Sequence, residues 1–330
     1  MNFSDIDKIL IVRLSSLGDV LLTTPVLRSI KKSNPKIEID FIVRSEYEDA
    51  LKYNPNISKV FSYIKNGDNK KIFDELIKRN YDLIIDLQNN NRSAGIVQSL
   101  SKPVAKFYKP TLKKFLLVHF KINLFGEIIS IPERYANSFN EIKLDEKGSE
   151  LFIPEEIKPQ TNFDKNTIGF CPGSKHYTKM WPAEYFIELG NKLIADGNKI
   201  ILLGGKDDKQ ICDEISSQII GSINLCSEDN LLQIAADMKN CKLVVCNDSG
   251  MMHTAAAVNV PVVAIFGSTV KEFGFFPYKS RSLVLENNSL SCRPCSHIGR
   301  NNCPQKHFKC MKEITPYLVY DNIQNFLKTL

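Results

Sequence analysis

Apolar residues in this chain come in short, nearly unbroken runs that stop abruptly at polar loops. Ile9-Leu10-Ile11-Val12, Ile37 to Val43, Lys59-Val60-Phe61, Tyr81 to Leu87, Thr167 to Cys171, Lys199 to Leu203, Val244-Val245-Cys246 and Val262 to Phe266 all read as strands. Most lack a polar face, the pattern of strands covered on both sides in a parallel sheet. Between them apolar residues recur at helical spacing, as in Ala183 to Asp196, and in Ile314 to Leu330 with Tyr317, Leu318, Ile323, Phe326 and Leu327 as a closing helix. Strand, helix, strand repeated in this way predicts doubly wound α/β architecture. The rhythm lapses once, from Asp145 to Asn166, where Glu, Lys and Pro accumulate. At 330 residues the chain is longer than one hydrophobic core usually grows. The expectation is therefore two Rossmann-like domains, 1–155 and 156–330, facing each other across a cleft.

In such sheets ligands bind beyond the carboxyl ends of the strands, so the loops there hold the candidate chemistry. After Val244 to Cys246 comes Asn247-Asp248-Ser249-Gly250, followed by an Ala-rich stretch that reads as a short helix. Asp248 is the expected N-cap, and the amides of Ser249, Gly250 and Met251 offer an anion site with His253 one turn in. The competing reading makes Asp248 a plain cap and His253 a core histidine. Pro172-Gly173-Ser174-Lys175, running on to Lys179-Met180-Trp181-Pro182, can hold a diphosphate through amides, Ser174 and the ammonium of Lys179 or Lys175. Gly204-Gly205-Lys206-Asp207-Asp208 offers Asp208 to ribose hydroxyls. Nearer the N-terminus, Arg13 to Asp19 leaves the first strand without the G-x-G-x-x-G fingerprint, which argues against a nicotinamide oxidoreductase. Thr24-Pro25 opens a helix, or else one that starts at Asp19 kinks at Pro25; both place Asp19 at the mouth of the crevice. Gln88 and Arg92 lie in a further strand-end loop.

Composition narrows the field. Hydrophobic residues at 43% and charged residues at 24% describe a water-soluble protein, and no apolar run is long enough to span a bilayer or begin a secretory signal. A cytoplasmic location is expected. A charge of +6 is modest, and without RNP-type aromatics or zinc-finger spacing it gives no support to nucleic-acid binding. From Lys102 to Lys121, six lysines, Lys113 and Lys114 among them, alternate with Phe, Tyr, Leu and Val, which suits an anionic lipid surface or a phosphorylated acceptor. A solvated helix face with snorkelling lysines gives the same pattern. Nine cysteines, an odd number, fit reduced thiols. Cys292, Cys295, Cys303 and Cys310, with His297 and His307 among them, have the count for a structural zinc, or else are four thiols packed in a long loop.

Taken together, Arg13-x-Ser15-Ser16-x-Gly18-Asp19 with Pro25, Asp86-x-Gln88, Pro172-Gly173 with Lys179-x-Trp181-Pro182, and Asn247-Asp248-Ser249-Gly250-x-Met252-His253 resemble glycosyltransferase family 9, the lipopolysaccharide heptosyltransferases. The likeness runs from Ile9 to Leu330, and the Asn-Asp-Ser-Gly form is closer to the heptosyltransferase II type. It implies a GT-B fold and inverting transfer of heptose from ADP-heptose to the lipopolysaccharide inner core at the inner membrane surface. The implied base is Asp19. The implied donor contacts are Ser174, Lys179, Asp248, Ser249, Gly250 and His253, with the acceptor on the N-terminal side near Ser16, Gln88, Arg92, Lys113 and Lys114. Met180 departs from the basic or polar residue expected between lysine and tryptophan. Lys179 and the helix amides would stabilise the leaving diphosphate, so no metal or other cofactor is expected in catalysis. The rival readings are a transferase of the same fold using another nucleotide sugar, and a non-catalytic nucleotide- or zinc-binding module.

Overall fold

The computed structural model describes residues 5–138, 142–161, 166–226 and 230–330, whose strands form two separate parallel sheets. The first four residues and 162–165 of the expected linker lie outside the described residues. By its contacts the chain divides into unit 1, Met1–Lys109 with Ile129–Phe152, and unit 2, Pro110–Ile128 with Ile153–Leu330. The single break expected at 155 takes no account of Pro110–Ile128, which groups with unit 2 although unit 1 is not yet complete at that point of the chain.

In unit 1 the elements are β1 (Lys8–Val12), α1 (Leu17–Leu21), α2 (Thr24–Ser33), β2 (Glu38–Arg44), β3 (Lys59–Tyr63), α3 (Lys70–Lys78), β4 (Leu83–Asp86), α4 (Asn91–Leu100) and β5 (Val104–Lys106). The chain then gives α5 (Thr111–Phe120) to unit 2 and returns with α6 (Ile131–Ala136). The sheet order is β3-β2-β1-β4-β5, with Val12 opposite both Ile42 and Asp86. Ile9 to Val12 are wholly buried, as an unbroken apolar run requires. Leu10, Val12, Ile42, Phe61, Leu76, Ile84 and Ile96 pack one face. The start of the expected linker is not a loose tether. Arg28 on α2 binds Asp145 through Nε (2.9 Å) and Nη2 (2.8 Å) and Glu150 through Nη1 (2.6 Å), so its acidic residues are clamped onto unit 1.

Unit 2 runs β6 (Thr167–Cys171), α7 (Ala183–Ala195), β7 (Lys199–Leu202), α8 (Lys209–Gln218), β8 (Ile223–Asn224), α9 (Leu231–Lys239), β9 (Leu243–Asn247), α10 (Gly250–Ala257), β10 (Val262–Phe266), β11 (Ser282–Glu286), α11 (Lys309–Lys312) and α12 (Pro316–Leu327). Its order is β11-β10-β9-β6-β7-β8. Renumbered within the unit this is the 3-2-1-4-5-6 order of a dinucleotide-type sheet. Phe170, Trp181, Phe186, Val245, Ile265, Met311 and Ile323 belong to one core. The order reverses between β1 and β4 in unit 1 and between β6 and β9 in unit 2. At such a switch point neighbouring connections leave on opposite faces and a crevice opens. Among the described residues, no helix is long and apolar enough to cross a membrane.

Candidate functional site

At the switch point of unit 1, the loop after β1 meets the loop after β4. Asp19 sits in the first turn of α1, with Ser16 as N-cap. Its Oδ2 accepts hydrogen bonds from Ser16 N (3.2 Å) and Ser16 Oγ (3.0 Å), and its Oδ1 pairs with the buried Arg13 guanidinium. Arg13 also donates to Leu87 O (2.7 Å) and lies 5.8 Å from the centre of the buried Tyr135 ring. Both carboxylate oxygens are therefore anchored and the group is oriented rather than free to rotate. Asp19 is inside a short helix, and α2 follows with Thr23 as N-cap and Pro25 in its first turn. Thr24-Pro25 does open a helix, with the cap one residue earlier than Thr24. The alternative of one helix from Asp19 kinked at Pro25 does not hold, because Asp19 lies in a separate short helix. Lys109 stands in the field of the same edge. Burial lowers its pKa and so does Arg13, while Asp86 and Asp19 pull the other way.

Gln88, expected as an acceptor contact, has its oxygen engaged by the loop after β1. Its Oε1 accepts from Leu14 N (2.9 Å) and Ser15 N (3.1 Å), so it shapes the β1 loop. Asp86 likewise serves the backbone, accepting from Gln88 N (3.0 Å) and Asn89 N (2.7 Å), and takes the Ser93 hydroxyl (2.8 Å). Ser16 and Arg92 are exposed.

At the switch point of unit 2, the 3₁₀ turn Tyr177–Lys179 brings Lys179 Nζ to 2.7 Å from Asp248 Oδ2. Asp248 is not the helix cap. Ser249 takes that position, in extended conformation and with no side-chain cap bond, and its Oγ is buried without a hydrogen-bond partner. The first-turn amides of α10, beginning at Gly250, are thus left uncapped by any side chain. The Asp248 carboxylate instead accepts from Thr269 Oγ1 (2.6 Å). Arg293, itself buried, fixes that loop by donating to Gly267 O (2.6 Å) and Thr269 O (2.7 Å). Asn247 joins the two phosphate-type loops: its Nδ2 donates to Pro172 O (2.7 Å) and its Oδ1 accepts from Trp181 N (3.0 Å). His253 is buried one turn into α10. Ser174 is half-buried and Lys175 exposed on the loop after β6. Asp208 Oδ2 accepts from Gly205 N (3.2 Å), and its carboxyl stands against the loop after β6, where a Cβ on Gly173 would meet it at 1.8 Å.

A family model described as glycosyltransferase family 9 (heptosyltransferase) matches residues 70–306. The chain belongs to glycosyltransferase family 9. It is a glycosyltransferase of the GT-B class, and the two switch-point edges are where that class of sheet takes its ligands. The lipooligosaccharide heptosyltransferase 2 of Campylobacter jejuni is 26% identical over 94% of this chain and 96% of its own. The lipopolysaccharide heptosyltransferase 1 of Campylobacter coli is 30% identical over 79% of this chain and 84% of its own. Among solved structures, E. coli heptosyltransferase WaaC with ADP-2-deoxy-2-fluoro heptose shares the fold at a TM-score of 0.70, with 20% identity over 96% of this chain and 99% of that one.

The remaining sequence candidates fall elsewhere in unit 2. Lys113 and Lys114 lie on α5, where Lys114 Nζ approaches the Phe275 ring (5.9 Å). The four cysteines do not assemble as the zinc reading requires. Among the described residues, no three His, Cys, Asp or Glu side chains group so as to share an ion. Cys310 is buried in the core beside Phe308 and Met311, and burial pushes its thiol up to about 12. Cys292 faces His307 Nε2 at 3.8 Å, and His307 Nδ1 already accepts from Lys309 N (3.0 Å). Thr269 and Arg293 were not anticipated. The signal for Thr269 was available, since Gly267-Ser268-Thr269 is one more strand-end loop beside β9.

Proposed function

We propose that this chain is an inverting transferase that moves heptose from ADP-heptose to the inner core of lipopolysaccharide, with Asp19 as general base. The observation that carries the reading is the anchoring of both Asp19 oxygens at the unit 1 switch point. A sugar hydroxyl is a poor nucleophile, and a fixed carboxylate can take its proton as oxygen bonds to the anomeric carbon and the bond to ADP breaks. Ser16 and Arg92, exposed on unit 1, are the proposed acceptor contacts. The departing diphosphate gains negative charge. Lys179, Ser174, Lys175 and the uncapped amides of α10 would receive it, with Ser249 Oγ and His253 beside them. Family membership supports the sugar class, and the WaaC complex supports an ADP-linked donor.

A second reading has an observation behind it, because Asp19 and Ser16 form a reciprocal capping box and Asp19 could serve α1 alone. Asp19→Asn separates the two. Asparagine keeps one oxygen for Ser16 but sets its amide NH2 against the buried Arg13 guanidinium, so some stability is lost and the unfolding midpoint is read beside activity. With the variant still folded, donor binding should persist, whereas turnover should fall by about 10²–10⁴. Turnover near the wild-type rate would leave Asp19 as a cap and nothing more. Donor-hydrolysis profiling across nucleotide sugars tests the sugar, and preference for a non-heptose donor would overturn that part of the proposal.

A further inference from the structure

We infer that Tyr135 is a positioning residue for the transfer: its hydroxyl is a second partner for Arg13, taken up when Asp19 accepts the proton of the sugar hydroxyl. The inference rests on the proposed role of Asp19 as base. Tyr135, on α6, is wholly buried. Its ring meets that of Phe107 edge to face at 4.9 Å, and Arg13 Cζ lies 5.8 Å from its centre. Among the described residues its hydroxyl has no hydrogen-bond partner, and neither has the buried Nε–H of Arg13. Most buried polar groups are paired, because an orphan costs stability. Here two orphans belong to side chains in contact, one able only to donate and the other able to accept.

The other donors of Arg13 are engaged, Nη1 on Leu87 O (2.7 Å) and Nη2 on Asp19. Burial works against the charge of Arg13, yet Asp19, Tyr135 and Asp86 carry its pKa above the ordinary value. Burial raises the pKa of the phenol, so near neutrality it keeps its proton and its oxygen can accept. When Asp19 takes a proton it loses the charge that Arg13 answers, and a buried guanidinium without a partner is costly. With Nη1 kept on Leu87 O as a pivot, a tilt toward the ring gives the phenol oxygen to Arg13 and removes both orphans. No proton leaves Tyr135; its hydroxyl acts through Arg13 by favouring protonated Asp19. The neighbouring charges have other work. Asp86 accepts from two amides and the Ser93 hydroxyl, and Lys109 stands in the same field. The Ser45–Ala50 turn, which packs on α1, brings Tyr47 into the field of Asp19, while its Glu46 pairs with Arg44 and its Glu48 accepts from Ser62. On α6 Glu133 caps Ser130, and on α2, packed against α6, Arg28 is held by Asp145 and Glu150.

The test is Tyr135→Phe in the full chain, with Asp19→Asn beside it and ADP-heptose turnover followed across pH. The hydroxyl is bonded to nothing while Asp19 is ionised, so the unfolding midpoint of Tyr135→Phe should hold or rise, and KM for donor and acceptor should stay at the wild-type values. Its kcat should fall about tenfold, because the base is helped less in taking the proton. Losing an interaction made only with protonated Asp19 loosens the hold on that proton, so the ionised form persists further into acid. The acid limb of the kcat profile should therefore move about one pH unit lower, a shift that a purely structural role would not produce. A wild-type kcat, a fall in kcat with the limb in place, or a lower midpoint would each overturn the inference. Should Asp19→Asn lose turnover while Tyr135→Phe matches wild type, the base stands and the role of Tyr135 alone is refuted. Wild-type turnover in Asp19→Asn would refute both.

Discussion

Lys179 and Asp248 are close partners with little solvent around them, their side chains 14% and 5% exposed, and this makes the role of the lysine separable by a two-residue cycle. Lys179→Met leaves the carboxylate in a poorly solvated place. Breaking a buried pair from one side costs about 3–5 kcal/mol. Here the Thr269 hydroxyl stays at 2.6 Å from the carboxylate, so a loss nearer 2–3 kcal/mol is expected in order of magnitude. Adding Asp248→Asn removes the stranded charge while keeping an acceptor for Thr269, and should restore stability to within about 1 kcal/mol of wild type. Binding should behave differently. A charge-assisted hydrogen bond from Lys179 to a diphosphate is worth about 1.5–3 kcal/mol, so ADP affinity should drop about 10- to 100-fold in the single variant and stay low in the double. Urea unfolding can be followed by the fluorescence of Trp181, the one tryptophan of the chain, buried in the unit 2 core with its indole N–H on Ile314 O at 2.7 Å. Calorimetric titration with ADP supplies the affinity. A double variant that binds ADP as tightly as wild type would show that Lys179 is only a counterion to Asp248.

Other outcomes follow from the same geometry. Arg28, by hydrogen bonding, holds the Asp145 carboxyl down to about 2 in the folded state, from an ordinary 3.8. A carboxyl depressed on folding contributes stability that is complete above the unfolded value and lost as pH falls toward 2. Arg28→Met should therefore cost about 1 kcal/mol near neutrality, after allowance for solvent screening, and wild type and variant should converge in acid unfolding toward pH 2. A gap that persists unchanged at that pH would remove the ionic explanation. Asn247→Ala strands Trp181 N–H and Pro172 C=O in the interior and should cost about 2–4 kcal/mol by Trp181 fluorescence. A loss under about 0.5 kcal/mol would mean that the two loops hold their shape without the bridge.

The strands were legible because each is a local pattern. Buried parallel strands leave continuous apolar runs such as Ile9 to Val12 and Val262 to Phe266, and polar punctuation at their carboxyl ends marks the loops that hold the site. The candidate residues around Asp248 were legible for the same reason, yet the cap was displaced by one position. Local preference at a helix start does not register that a lysine from another loop and a threonine after β10 compete for the same carboxylate. Gln88 shows a task that a local window does not register: two amides of the neighbouring loop are held by its oxygen. Spacing alone also misled for the cysteines, since Cys310 follows the core-facing side of its element while Cys292 faces His307. The allocation of α5 to unit 2 is written in contacts with residues far along the chain, such as Phe273 and Pro294, which no window of local sequence contains.

The path of the chain passes between the units three times, after Lys109, after Ile128 and after Phe152. During synthesis α5 therefore emerges before any strand of its own sheet exists, and the carbonyls that receive Lys121 are made more than half a chain later. Until then the nascent protein carries an orphaned apolar helix, a natural client for a chaperone. Expressing the halves as separate pieces cut at 155 would leave that helix on the fragment that cannot seat it, and the other fragment with an open berth.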